Sequence, residues 1–137
     1  MLDKLDKSLR FQQQALNLLN QRQEILASNI ANADTPGYLS RDIDFSQQLK
    51  HAVNMERVSS SSLSLKLTAE KHIPASVRRI PDSHLMYRIP DQPSADGNTV
   101  DMDRERVNFA DNNLKYQSGL TFMGAEIKKM MNVISQG

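Results

Sequence analysis

The stretch LDKLDKSLRFQQQALNLLNQRQEILASNIANADTPGY, residues 2–38, decides the fold. Steps of three and four through it pick out Leu2, Leu5, Leu9, Gln12, Leu16, Leu19, Gln23, Leu26, Ile30 and Ala33, of which only the two glutamines are strongly polar. So narrow an apolar seam predicts a helix that packs against another helix. Pro36 disfavours helical dihedrals at Thr35, and Pro36-Gly37 suits the centre of a type II turn, so the helix is expected to end between Ala31 and Asp34. About 30 residues rising about 1.5 Å each make a strut of roughly 45 Å, longer than a small domain is wide.

A second strut closes the chain. Asp101 is placed to cap a helix whose first turn holds Asp103 and Glu105, where negative charge is favoured. This helix is expected to run to about Ser135 along Arg106, Phe109, Asn113, Tyr116, Leu120, Met123, Ile127, Met130 and Ile134, a seam that is apolar from Tyr116 onward. Gly119 and Gly124 each lower helix propensity by about 1 kcal/mol relative to Ala, so packing has to hold the segment helical.

Between the struts the pattern is weaker. Arg41 to Phe45 reads as a connector, and Asp44 with Gln47 has the spacing of a capping box for a shorter helix ending near Arg57, with Phe45, Leu49, Val53 and Met55 on one face. Ser59 to Ser62 reads as a junction. Leu63, Leu65 and Leu67 alternate with polar residues as a half-buried strand does, and a second strand is expected within Leu85 to Ile89. Pro74 and Pro81 bracket a stretch better suited to an edge or loop. An irregular middle with a weak hairpin and a small β subdomain both fit. The expected fold is mainly α: long N- and C-terminal helices packing as a coiled-coil-like pair, a shorter helix, and an irregular or small β middle. The expected segments are residues 1–35, 36–57, 58–95 and 96–137.

Hydrophobic residues make up 39% of the 137 and charged residues 24%, as in a folded soluble protein. Two helices leave much of each seam uncovered, so other chains are expected to complete the fold. The net charge of +1 and the lack of basic residues interleaved with aromatics argue against nucleic-acid binding. No apolar run has the length of a signal peptide or membrane span, and Asp3, Asp6 and Glu24 dilute any basic face for lipid. With no cysteine, thiolate chemistry is absent. His51, His72 and His84 fall in separate expected elements without metal-ligand spacing, and helix-terminal charge preference accounts for Asp101, Asp103 and Glu105 without a metal. No phosphate loop, nucleophile elbow or catalytic carboxylate pair is legible, so neither an enzyme nor a cofactor protein is expected.

The run Ser28-Asn29-Ile30-Ala31-Asn32-Ala33-Asp34-Thr35-Pro36-Gly37-Tyr38 resembles the N-terminal signature of the bacterial flagellar rod, hook and hook-associated protein family. Asp96-Gly97-Asn98-Thr99-Val100-Asp101-Met102-Asp103-Arg104-Glu105, Leu114-Lys115-Tyr116-Gln117, Arg41-Asp42-Ile43-Asp44-Phe45 and Pro90-Asp91-Gln92-Pro93 are similar to the rod proteins more narrowly, and to those of the proximal rod in particular.

That resemblance implies a structural subunit whose terminal helices line a tubular, helically built assembly. It implies, as partners, other copies of the chain, other rod proteins, the MS ring with its rod-junction protein, and the flagellar type III export apparatus. It implies a periplasmic position reached without a cleaved signal, and torque passed to the distal rod and hook. The assembly interface would comprise Leu5, Leu9, Leu16, Leu19, Leu26 and Ile30 with Tyr116, Leu120, Met123, Ile127, Met130 and Ile134, meeting directly or through neighbouring subunits. Asn32, Asp34, Thr35, Pro36, Gly37 and Tyr38 match the family turn, although local capping alone would explain Asn32 and Asp34. A helical adaptor or export chaperone is the alternative: it would share the seams but would not need the Thr-Pro-Gly-Tyr turn.

Overall fold

The N-terminal repeat forms one unbroken helix in the computed structural model, which describes residues 2–59, 84–89 and 94–136. Among the described residues the order is α1 (Leu2–Ala31), β1 (Arg41–Asp42), α2 (Phe45–Ser59), β2 (Met86–Tyr87) and α3 (Met102–Gln136). The chain is mainly helical, with a small two-stranded sheet between the long helices. Both helix starts follow from their caps. Asp44 Oδ1 accepts from the Gln47 amide at 3.1 Å, and Asp101 Oδ1 accepts from those of Asp103 and Arg104 at 3.1 and 3.3 Å.

α1 and α3 lie side by side and antiparallel. Asn29 meets Glu105, Leu19 and Gln23 meet Asn112, Leu16 meets Gly119, and Gln12 meets Glu126, in that order along the pair. On α1 the expected seam is the covered one: Leu26 is 0% exposed, Leu19 is buried, and Leu5, Leu9, Leu16 and Ile30 are half-buried.

On α3 the inward face is rotated from the apolar seam. Phe109, Tyr116, Met123 and Met130 are half-buried, but Leu120, Ile127 and Ile134 are 47%, 39% and 80% exposed. The positions immediately before those three in the helical repeat, Asn112 apart, are occupied by Gly119, Glu126 and Val133; together with Glu105 they form a column spaced by seven residues. Glu105, Asn112, Gly119 and Glu126 of this column make the contacts to α1. Polar bonds that only one face can make outweigh the apolar area that the neighbouring column offers.

α2 packs on α1, where Phe45, Leu49 and Val53 line a groove with Phe11; the side chain of Met55 lies outside the described residues. β1 falls in the stretch expected as a connector, since two residues carry no readable period. It pairs antiparallel with β2, Arg41 opposite Tyr87 and Asp42 opposite Met86, and the Arg41 guanidinium sits 5.4 Å from the Tyr87 ring centre. The second expected strand is thus present at Met86–Tyr87. The expected Leu63–Leu67 strand, the segment between Pro74 and Pro81, and residues 60–62 of the serine junction lie outside the described residues.

Among the described residues the buried apolar side chains are Leu18, Leu19, Leu26 and Ile43. Gln21, Asn29, Ser40, Asn98, Glu105 and Asn112 are buried beside them, so the interior is held largely by polar bonds.

Candidate functional site

The family turn is built from α1's own end. Asn32 Nδ2 donates to the Ser28 carbonyl at 2.8 Å, Thr35 Oγ1 donates to Asn32 Oδ1 at 3.2 Å, and the Tyr38 amide closes on the Thr35 carbonyl at 3.3 Å. Pro36 and Gly37 occupy the centre of that turn, with Gly37 at φ +71°, a left-handed value that side chains rarely tolerate. Tyr38 turns back so that its hydroxyl donates to Asn29 Oδ1 at 3.3 Å. Asp34 is exposed.

A second turn from far along the chain is fitted to the first. The Gly37 amide donates to the Asp96 carbonyl at 2.8 Å, and Gly97, at φ +77°, abuts the Gly37 backbone. Asn98 reaches into the helix end: its Nδ2 lies 3.1, 2.8 and 2.8 Å from the carbonyls of Asn32, Ala33 and Thr35, while its Oδ1 accepts from the Val100 amide at 2.8 Å. These carbonyls belong to the turn just past α1, and Asn98 ties that turn to the second one. Ser40, fully buried, bonds Thr99 through its amide and hydroxyl, and the Thr99 amide returns to the Tyr38 carbonyl at 3.0 Å.

Beneath the turns lies a charged cluster joining four elements. Arg22 of α1 holds both oxygens of Asp42 in β1, at 3.0 and 3.2 Å. Arg88, just past β2, bonds Asp42 with one guanidinium nitrogen and Glu105 of α3 with another. Asn29, 0% exposed, donates to Glu105 at 3.2 Å and to the Arg41 carbonyl at 2.7 Å, and accepts from the Arg41 amide at 3.1 Å. Two arginines balance two carboxylates, and all four carboxylate oxygens are engaged. Burial pushes the Asp42 carboxyl up, but bonds from Arg22, Arg88 and the Ile43 amide outweigh it and leave it below its ordinary value. For Glu105 burial wins over Asn29 and Arg88, and its carboxyl is raised. Such a cluster holds elements in place.

The structure therefore joins the turn residues to Asn29, Asn98 and Glu105, which were not singled out as partners from sequence. Helix-terminal charge preference does not account for Glu105, which is 1% exposed and ion-paired. The seven-residue spacing of Glu105, Asn112, Gly119 and Glu126 was the available signal. His51 and His84, expected apart, meet edge to face with ring centres 5.8 Å apart, and His72 lies outside the described residues. Among the described residues no helix is long and apolar enough to cross a membrane.

Paired terminal helices, a fitted double turn and an internally neutralised charge cluster define a structural protein of helical-pair type. Residues 9–38, which include the turn, match the family model for flagella basal body rod proteins. The whole chain is 66% identical to the flagellar basal body rod protein FlgB of Yersinia enterocolitica, with all of both chains covered. It is 61% and 60% identical to the proteins of that name from Salmonella typhimurium and Escherichia coli, covering all of this chain and 99% of each of those. The chain belongs to the FlgB family of flagellar basal body rod proteins.

Proposed function

We propose that this chain is a structural subunit of the proximal rod of the bacterial flagellar basal body, associating there with other rod components and catalysing no reaction. In this reading it assembles helically with copies of itself and other rod proteins on the MS-ring side, next to the rod-junction protein. It is exported through the flagellar type III apparatus to the periplasm, and passes torque toward the distal rod and hook.

The observation that carries the reading is the apolar surface left on α3 by the helix pair. Leu114, Leu120, Ile127 and Met131 are all exposed along a helix already paired with α1, and Ile134, also exposed, lines an open groove beside Leu5. A surface of this kind asks for a partner, and a head-to-tail contact that does not close makes a helical filament. End-to-end identity with rod proteins favours that partner being a rod neighbour over the cargo of an adaptor or chaperone. The seam residues and the family turn are the proposed contacts: the seams across subunits, and Asn32 to Tyr38 by fixing how the chain leaves the helix layer.

The test is Leu120→Glu/Ile127→Glu in a motile bacterium that depends on this chain. Both side chains are exposed, so the chain should remain helical and be exported, while purified basal bodies lack rods and cells do not swim. Swimming cells with complete rods would overturn the proposal.

A further inference from the structure

α3 offers α1 two possible faces, and it presents the more polar one. The half-buried column Tyr116, Met123 and Met130 is flanked on one side by Asn112, Gly119 and Glu126 and on the other by Leu120, Ile127 and Ile134. Burial of apolar area alone would select the second flank. The structure uses the first and leaves Leu120, Ile127 and Ile134 exposed.

We propose that the column Glu105, Asn112 and Glu126 is a register and face selector, which admits a single antiparallel alignment of α1 and α3 and keeps the apolar flank outward. Each member has its own partner. Glu105 accepts from Asn29 at 3.2 Å, Asn112 donates to the Leu19 carbonyl at 2.8 Å and to Gln23 Oε1 at 2.6 Å, and Glu126 accepts from Gln12 at 3.1 Å. Between them Gly119 leaves room for Leu16, whose Cδ2 comes within 2.8 Å of where a Cβ would stand.

A slip of one heptad removes these matches in either direction. Asn112 would exchange Gln23 for Leu16 or Ile30, and Glu126 would exchange Gln12 for Leu19 or Leu5, setting polar groups against side chains that cannot bond them. Rotation onto the apolar flank would leave Gln23 and Gln12 without Asn112 and Glu126. Even in register, Asn112 Oδ1 and Gln12 Oε1 are buried without a partner among the described residues. Residues chosen for stability alone would not include them; a lone polar group in an apolar seam is a known way of fixing alignment at the expense of stability.

The experiment needs only the purified full-length chain, so its outcome is separate from that of the rod proposal. Because the chain has no cysteine, Asn20→Cys/Lys115→Cys places two nitroxide labels, one on each long helix at exposed positions, and electron double resonance reads their separation. The expected result is one narrow distance in this background. With Asn112→Leu/Glu126→Leu added, helix content by circular dichroism is retained while the distance splits or broadens toward longer values, because a slip of one heptad carries one label about 10 Å along the helix axis from its partner. The same narrow distance after both leucines are added, or no defined distance before, overturns the proposal. Should the double leucine chain lose its helix, Asn112→Leu alone is read in the same way. Helix loss in both also overturns it, since a column that only selects alignment is not required for helix formation.

Discussion

Asn29 and Glu105, 76 residues apart in the chain, meet in the interior through a 3.2 Å bond from Asn29 Nδ2 to Glu105 Oε2. Asn29 uses all of its amide there, since it also brackets Arg41 and accepts from Tyr38. Asn29→Ala would strip partners from a buried carboxylate and a buried strand backbone together. At about 1–3 kcal/mol for a buried polar group left unsatisfied, the expected loss is about 3 kcal/mol. Urea unfolding measures it, and an unchanged midpoint would show that the Arg88 pairing suffices for Glu105.

The two glycines of α3 separate propensity from packing. Nothing lies within 4 Å of a Cβ built on Gly124, so Gly124→Ala should stabilise by about 1 kcal/mol. At Gly119 the same methyl meets Leu16 at 2.8 Å; the end of that side chain can move, so Gly119→Ala should come out near neutral, and Gly119→Ile well below wild type. Thermal melts of the three chains should fall in that order, and equal gains for both alanines would mean that Leu16 is not seated against Gly119.

Asp42 and Glu105 carry opposite pH signatures. The folded Glu105 carboxyl titrates above its ordinary 4.5, so as pH falls toward that value the folded chain takes up a proton before the unfolded one, and this group's contribution to stability rises. Asp42 titrates below its ordinary 3.8 when folded, so its contribution is full above that value and is lost as pH falls through the folded value. Glu105→Gln should remove the gain that develops on acidification toward 4.5, and Asp42→Asn should remove the loss at the acid end. Melting temperatures across an acid series would refute the assignment if either substitution left its own limb unaltered.

Asn98→Ala should loosen one helix end rather than the whole fold. The Ala33 carbonyl and the Val100 amide lose their bonds, and the Asn32 and Thr35 carbonyls keep only backbone ones, at a cost of about 1–2 kcal/mol. Hydrogen exchange should quicken at Asn32, Thr35 and Val100 while the Leu19 and Leu26 amides stay protected; uniform quickening would place the effect elsewhere.

Much of this architecture was legible from periodicity. The α1 seam, the stop ahead of Pro36 and the caps at Asp44 and Asp101 each rest on local spacing or local backbone geometry, which sequence displays directly. What escaped depends on distance. Nothing near Asn98 says that it will meet the end of a helix some 65 residues earlier, and Arg88 acquires a role only once β2 sets it between Asp42 and Glu105. Hydrophobicity ranks Leu120 and Ile127 above Asn112 and Gly119, yet within one chain the direct contact to α1 is made by Asn112 and Gly119, through specific bonds and a fitted side chain, which leaves Leu120 and Ile127 for contact through neighbouring subunits.

The β1–β2 pair closes a loop of chain at its two ends. Asp42 faces Met86 across the ribbon, so the loop that begins with α2 returns beside the point where it started. A loop closed in this way costs only about 0.6 kcal/mol more for each doubling of its length. Residues added within that loop should therefore cost little, and the paired struts should keep their alignment.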